Sequence, residues 1–185
     1  MERGFKAGAV RLALEIRSEF GLRPTDPFDP YAYFSTYGIP VVGISELEAG
    51  VSRMLSDQSR DKISGALLPL GGGFVVIDND FHPMTRRRST AAHEYAHHAL
   101  EHEFAASISA DQRACGLGKI QEAEANELAG ELLIPSKSAR SHAVSKWTDD
   151  DVADAYGVSV QFAKWRMNAN GARKYARAVQ RRRSA

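Results

Sequence analysis

Apolar side chains recur at helical spacing among the charged residues of the first twenty positions. The apolar positions are Val10, Leu12, Ala13, Ile16 and Phe20. Residues three and four apart share one face of a helix, so the segment is predicted to form a first helix. Residues 24–30 then hold three prolines and two aspartates, a composition typical of a connector rather than a regular element.

Three short apolar segments after the connector have the pattern of β-strands. They cover residues 39–44, 63–70 and 74–78. Gly71-Gly72-Gly73 separates the last two and indicates a tight hairpin. For the strand that follows these glycines, residues 73–78, two hypotheses stand: it offers an edge along which an extended peptide can lie, or, being so apolar, it is fully paired.

The remainder of the chain is mainly helical in pattern. Residues 84–102 contain no glycine and no internal proline, and residues 119–134 end at Pro135. The second of these helices has an apolar face of Ala125, Leu128, Ala129, Leu132 and Leu133. Residues 149–156, 157–159 and 160–170 read as helix, turn and helix, the arrangement of a helix-turn-helix DNA binder.

Composition and length limit the class of protein. The chain has 185 residues, of which 43% are apolar, and this suits a single small domain with a helical appendage. A lone cysteine, Cys115 in a predicted loop, cannot form an internal disulfide, which favours a reducing compartment. No apolar run is long enough to span a bilayer, and the amphipathic, charged N-terminus is unlike a signal peptide. We therefore expect a cytoplasmic protein without a membrane partner.

The strongest chemical signal is His93-Glu94-Tyr95-Ala96-His97, which spells HExxH within the predicted helix 84–102. Residues four apart lie about 40° from each other around a helix, so both imidazoles can reach one metal ion. Glu94 projects from the flank of the same face and can take a proton from a zinc-activated water. The pattern predicts a zinc-dependent peptidase.

An inverted motif, HxxEH, overlaps this helix at residues 98–102 and competes for the same metal. The two histidine pairs point about 140° apart, so the choice depends on where a third ligand comes from. That ligand should be a His, Glu or Asp of another element, and residues 119–134 offer four glutamates. Glu127 points away from the buried face and Glu131 is marginal. Periodicity does not separate Glu122 from Glu124.

HExxH is followed by Glu124-Ala125-Asn126-Glu127-Leu128-Ala129 and then by Leu132-Leu133-Ile134-Pro135. Together these motifs resemble the ImmA/IrrE family of metallopeptidases, and the likeness covers roughly residues 5–170. The resemblance implies zinc bound by His93, His97 and Glu124, with Glu94 as general base. It favours HExxH over the inverted motif and leaves His98 and His102 on the surface or behind the ligands. It also implies that the substrate is a helix-turn-helix repressor of a mobile element or a stress response.

The predicted fold is therefore α+β: a small zincin-like domain with a short, mostly antiparallel sheet, an HExxH helix and a helical C-terminal end. The expected division is a metallopeptidase domain at 1–145, a helix-turn-helix-like pair at 146–170 and a basic tail at 171–185. Tyr95, His142 and Tyr156 are candidates for stabilising the oxyanion that forms during hydrolysis.

The C-terminal end supports a second hypothesis. Residues 155–185 contain eight Lys or Arg and no acid, so nucleic acid is a conceivable but not a favoured partner. Trp147 and Trp165 are predicted to be core anchors of this helical end. The alternative function is a non-catalytic regulatory or anti-repressor binding module with a structural or vestigial metal site. An intact Glu94 argues for catalysis, since a structural site has no use for a base.

Overall fold

The computed structural model describes residues 3–47, 64–102 and 118–183. The helices are α1 (Phe5–Glu19), α2 (Pro30–Thr36), α3 (Met84–Ala99), α4 (Lys119–Leu133), α5 (Ser136–Val144), α6 (Asp149–Tyr156), α7 (Val160–Ala169) and α8 (Ala172–Arg183), and the strands are β1 (Val41–Gly43), β2 (Gly65–Leu70) and β3 (Gly73–Asp78). A short 3-10 turn, Ile44–Glu46, follows β1. The loop predicted around Cys115 lies outside the described residues.

The fold is α+β, as predicted, and its sheet has three strands in the order β1-β3-β2. β2 and β3 form the predicted antiparallel hairpin, in which Leu70 pairs with Gly73. The two residues between them, Gly71 and Gly72, have φ angles of 57° and 87°, a conformation that favours glycine and suits a two-residue hairpin turn. β1 adds to the other side of β3 in parallel, so the sheet is mixed.

The hypothesis that β3 offers an edge to a peptide is wrong, and the alternative that this apolar strand is fully paired is confirmed. β3 is the central strand, with hydrogen bonds to β1 on one side and to β2 on the other. Its apolar sequence fits this position, since a strand covered on both faces reads as a continuous hydrophobic run. Among the described strands, β1 and β2 are the edges.

The described residues divide into two compact units. The first unit consists of residues 29–126 and contains the sheet, α2, α3 and the start of α4. The second consists of residues 3–28 and 127–183 and contains α1, the rest of α4 and α5 to α8. The boundary between these compact units falls within α4. The division into domains at residues 145 and 170 stays a prediction.

In the first unit, α3 packs against β2 and β3 and presents its HExxH motif from this support. The Tyr95 ring is buried and lies against the Tyr33 ring of α2, with centroids 3.9 Å apart. Asp78, at the end of β3, accepts hydrogen bonds from Arg87 of α3 at 2.6 and 2.8 Å and from the Tyr31 hydroxyl at 3.0 Å. These contacts fix the start of α3 to the sheet.

The second unit buries two arginines. Arg17 of α1 donates to the backbone oxygens of Leu132, Arg23 and Asp26. Arg166 of α7 has no exposed side-chain surface and pairs with Glu127 and Glu131 of α4. The predicted apolar face of α4 is fully buried, and its C-terminal part belongs to this unit.

The helical pair predicted near the C-terminus is present as α6 and α7. Thr148 caps α6 by accepting a hydrogen bond from the Asp151 backbone, and Gly157 ends that helix with a φ of 62°. Residues 172–183, predicted as part of a tail, form α8. Trp165 is 43% exposed, so its prediction as a core anchor is wrong, while Trp147 is half-buried and stacks on His142. No helix of the described residues has the length and apolar character to cross a membrane.

Candidate metal centre

The two histidines of the HExxH motif lie on the same side of α3. His93 Nε2 and His97 Nε2 are 3.0 Å apart. The His97 side chain is almost wholly buried, whereas that of His93 is partly exposed. This follows from their spacing, because one helical turn brings residues four apart into line. The pair can therefore offer two nitrogen ligands to one ion.

Glu122, near the start of α4, completes a group of three potential ligands. Its Oε2 lies 3.4 Å from His93 Nε2, and its Oε1 lies 3.4 Å from His97 Nε2. One ligand atom from each residue falls within 4.8 Å of the other two. Glu122 Oε1 is buried and, within the described residues, has no hydrogen-bond partner. A buried carboxylate oxygen without a donor beside two imidazole nitrogens is a suitable binding place for a cation.

The chemistry of these three side chains fits zinc. Two imidazole nitrogens and one carboxylate form a common catalytic zinc set that leaves a coordination position for water. Among the described residues, His93, His97 and Glu122 form the group whose ligand atoms converge in this way. The geometry thus supports a metal site on α3 and α4.

Glu124, implied as third ligand by the family resemblance, lies elsewhere. Its Oε2 is 3.6 Å from His102 Nε2 and is not part of the converging group. Residues two apart on a helix point about 200° apart, so α4 does not direct Glu122 and Glu124 to the same point. Geometry favours Glu122, which periodicity had left level with Glu124. The ligand role of Glu124 stays a prediction for metal-binding measurements.

Glu94 is buried beside these ligands and is held by the sheet. Its Oε2 accepts a hydrogen bond of 3.0 Å from the backbone N–H of Leu67 in β2. Burial raises the pKa of the Glu94 carboxyl above its usual range, although His93 and the Leu67 hydrogen bond partly offset this. A carboxylate whose pKa is moved toward neutrality is well suited to take and return a proton.

The surroundings of the site shift the pKa values of its two histidines in opposite directions. Burial, with a contribution from His93, lowers the pKa of His97 to about 3, so its ring is neutral and available as a ligand near neutral pH. Burial also opposes protonation of His93, but the Glu122 hydrogen bond and the charge of Glu94 outweigh it and raise the pKa of His93. The same His93 contact lowers the pKa of Glu122, which therefore stays ionised.

The inverted motif does not form a ligand set, because α3 ends at Ala99. Glu101 adopts a left-handed conformation with a φ of 52°, which turns the chain before His102. His98 packs its ring against Phe74, with centroids 5.0 Å apart. The buried His102 instead lies against His97, with the two Nδ1 atoms 2.8 Å apart. The choice of HExxH over HxxEH thus has a structural reason.

The three residues suggested as oxyanion stabilisers have other contacts. Tyr95 is 2% exposed and packs on Tyr33. His142 Nε2 and the Tyr156 hydroxyl are hydrogen-bonded to each other at 3.0 Å within the second unit. None of the three belongs to the converging group, so their oxyanion role stays a prediction.

Comparison with known protein families gives a match that covers most of the chain. Residues 39–168 match the family model Peptidase_M78, described as an IrrE N-terminal-like domain. The match includes both elements that carry the converging ligands. No curated protein and no solved structure shows significant similarity to the chain.

Proposed function

The chain belongs to the Peptidase_M78 family, with an IrrE N-terminal-like domain, and from that membership we propose that it is a zinc-dependent endopeptidase that cleaves a helix-turn-helix repressor. The observation that carries the proposal is the convergence of His93, His97 and Glu122 beside the buried Glu94. A metallopeptidase needs a cation site with an adjacent base, and these four side chains offer both.

His93, His97 and Glu122 would hold the zinc ion through two nitrogens and one carboxylate. When bound, zinc polarises a peptide carbonyl and lowers the pKa of a water molecule toward about 7. The neutral state of His97 and the ionised state of Glu122 match what these ligands require. A bound cation would also compensate Glu122 Oε1, which has no hydrogen-bond partner within the part of the chain that the structure describes.

Glu94 is the proposed general base. One oxygen, Oε2, stays hydrogen-bonded to Leu67 N–H and fixes the carboxylate, which leaves Oε1 to accept a proton from the attacking water. The protonated Glu94 then delivers this proton to the nitrogen of the leaving amine. Burial raises the pKa of Glu94, which makes its carboxylate a stronger base toward the attacking water.

The substrate proposal rests on the family resemblance. A helix-turn-helix repressor of a mobile element or a stress response is the class of protein that the resemblance implies. Repressors of this class act on DNA inside the cell, so the proposal also places the enzyme in the cytoplasm.

The test uses wild type, Glu94→Gln and Glu122→Gln, purified identically without a histidine tag. Zinc content is measured by elemental analysis, and cleavage of purified helix-turn-helix repressors from the source genome is followed by mass spectrometry of new termini. Wild type and Glu94→Gln should hold about one zinc per chain, and Glu122→Gln should hold much less. Glu94→Gln should lose about 10² to 10⁴ in kcat/KM, the usual contribution of a general base.

Two results would change the assignment. Wild type that binds no zinc when zinc is supplied would overturn the metal site. Glu94→Gln that still inactivates a repressor in cells as well as wild type does would favour the non-catalytic binding module, because such a module has no need of a base.

A further inference from the structure

The end of α3 folds His102 back onto the ligand His97. Glu101 N–H donates to His98 O at 3.0 Å, and His102 N–H donates to His97 O at 3.1 Å. These two bonds are the pair that defines a Schellman ending, in which the residue after the cap is left-handed. That residue is usually glycine, but here it is Glu101, with a φ of 52°. The chain thus accepts a strained residue where it places a histidine behind the metal centre.

The two rings are joined through their Nδ1 atoms, which lie 2.8 Å apart in a buried contact. Two imidazole nitrogens at this distance share one proton, so one ring donates an N–H and the other accepts it. If His97 donates, its Nε2 carries a lone pair and can bind a cation. If His102 donates, His97 carries its proton on Nε2 and cannot.

Glu124 selects between these two arrangements. Its carboxylate lies 3.6 Å from His102 Nε2, on the far side of the His102 ring from His97. A carboxylate stabilises an N–H directed at it, so His102 carries its proton on Nε2 and leaves Nδ1 as an acceptor. His97 must then donate from Nδ1. Both rings and the carboxylate are consistent with one direction of donation.

We infer that His102 and Glu124 are positioning residues of the metal centre: His102 accepts the Nδ1–H of His97, Glu124 orients His102, and His97 thereby presents a bare Nε2 to a divalent cation. The inference rests on the metal site of the proposed function. We call His97, His102 and Glu124 the relay. In the relay, Glu124 lies behind His97 rather than on the metal. Metal-binding histidines generally donate their second ring nitrogen to such a partner, and loss of the partner weakens metal affinity.

The direction of donation is measured first, in the metal-free wild type. Long-range ¹H–¹⁵N correlation spectra distinguish a protonated ring nitrogen from a bare one at each histidine. We expect His97 to be protonated at Nδ1 and bare at Nε2, and His102 to be protonated at Nε2. A His97 ring protonated at Nε2 alone would overturn the inference. This measurement uses wild type and needs no variant.

Zinc affinity is measured next, by competition with a chelator, for wild type, His102→Phe and Glu124→Gln. Phenylalanine keeps a ring of similar size but removes the acceptor, so zinc affinity should fall about 10- to 100-fold. His98→Phe is the matched control, because His98 is a neighbouring histidine that packs on Phe74 and lies outside the relay. His102→Asn, whose amide oxygen can accept the Nδ1–H, should recover part of the loss.

The outcomes separate the inference from the proposed function. Wild-type zinc affinity in a folded His102→Phe would overturn the relay and leave the metal site standing. A loss of zinc in Glu124→Gln as complete as that in Glu122→Gln would make Glu124 a ligand and also overturn the relay. Wild type without zinc binding would overturn both. If circular dichroism shows that His102→Phe does not fold, the zinc affinity of Glu124→Gln and the wild-type spectra decide whether the inference stands.

Discussion

Arg166 is a fully buried charged side chain of the second unit, and its loss should destabilise that unit. Its guanidinium has no exposed surface and donates to Ile134 O at 3.1 Å, to Glu127 Oε1 at 3.0 Å and to Ser136 Oγ at 3.3 Å, and it pairs with Glu131. Glu131 is itself almost fully buried. Arg166→Met keeps most of the apolar stem but removes every one of these donors.

The expected loss of unfolding free energy in Arg166→Met depends on which partners Glu127 and Glu131 keep. Breaking a buried ion pair by removing one partner costs about 3 to 5 kcal/mol, because a buried charge is left uncompensated. Glu131 keeps the backbone N–H and hydroxyl of Ser136, and Glu127 keeps Lys6 at 3.3 Å. These remaining partners place the loss at the lower end, about 3 kcal/mol, which corresponds to a fall in Tm of roughly 10 °C for a chain of this length.

Both tryptophans, Trp147 and Trp165, lie in the second unit, so urea unfolding followed by tryptophan fluorescence reports on it. Adding Glu131→Gln to Arg166→Met removes the unpaired charge and should return at least about 1 kcal/mol. An Arg166→Met unfolding free energy within about 0.5 kcal/mol of wild type would refute the reasoning, since that is the range of ordinary surface substitutions. So would a double variant less stable than the single one.

Three further predictions concern other elements. Among the described residues, Glu101 and Lys146 are the left-handed positions that are not glycine, so Glu101→Gly and Lys146→Gly should each raise unfolding free energy by about 1 kcal/mol in urea titrations; a loss would contradict this. Gly65→Ala should lower it by about 1 to 3 kcal/mol, because the new Cβ would lie 2.8 Å from Thr90 Cγ2 and 3.0 Å from a backbone oxygen; an unchanged thermal melt would contradict this. Zinc affinity should fall as pH drops through the raised pKa of His93, because protons compete for its nitrogen; titrations that give one affinity from pH 8 to 5 would contradict this.

The sequence predicted best the features that depend on near neighbours in the chain. The hairpin followed from glycines that reach positive φ at no cost, and the histidine pair followed from the repeat of the helix. The buried face of α4 followed from its periodicity, and all five of its predicted residues are buried. In each case the relevant geometry is contained within fewer than twenty residues.

Predictions that depend on distant segments fared less well. The position of β3 within the sheet is set by β1, whose parallel pairing joins residues more than thirty positions apart. The choice between Glu122 and Glu124 depends on the rotation of α4 relative to α3, which periodicity within α4 does not contain. Trp165 sits on the outward side of α7, where residue type alone suggested burial.

The hydrogen bond between Leu67 N–H and Glu94 also bears on self-association. β2 is an edge of the sheet among the described strands, and unpaired N–H groups on such an edge can recruit a strand of another molecule. Glu94 occupies one of them. A Glu94→Ala variant would therefore lose the base and also leave the Leu67 N–H on the strand edge unpaired. Aggregation through that edge would lower activity in the same way as loss of the base. Glutamine, whose amide oxygen can still accept from Leu67, keeps the edge covered.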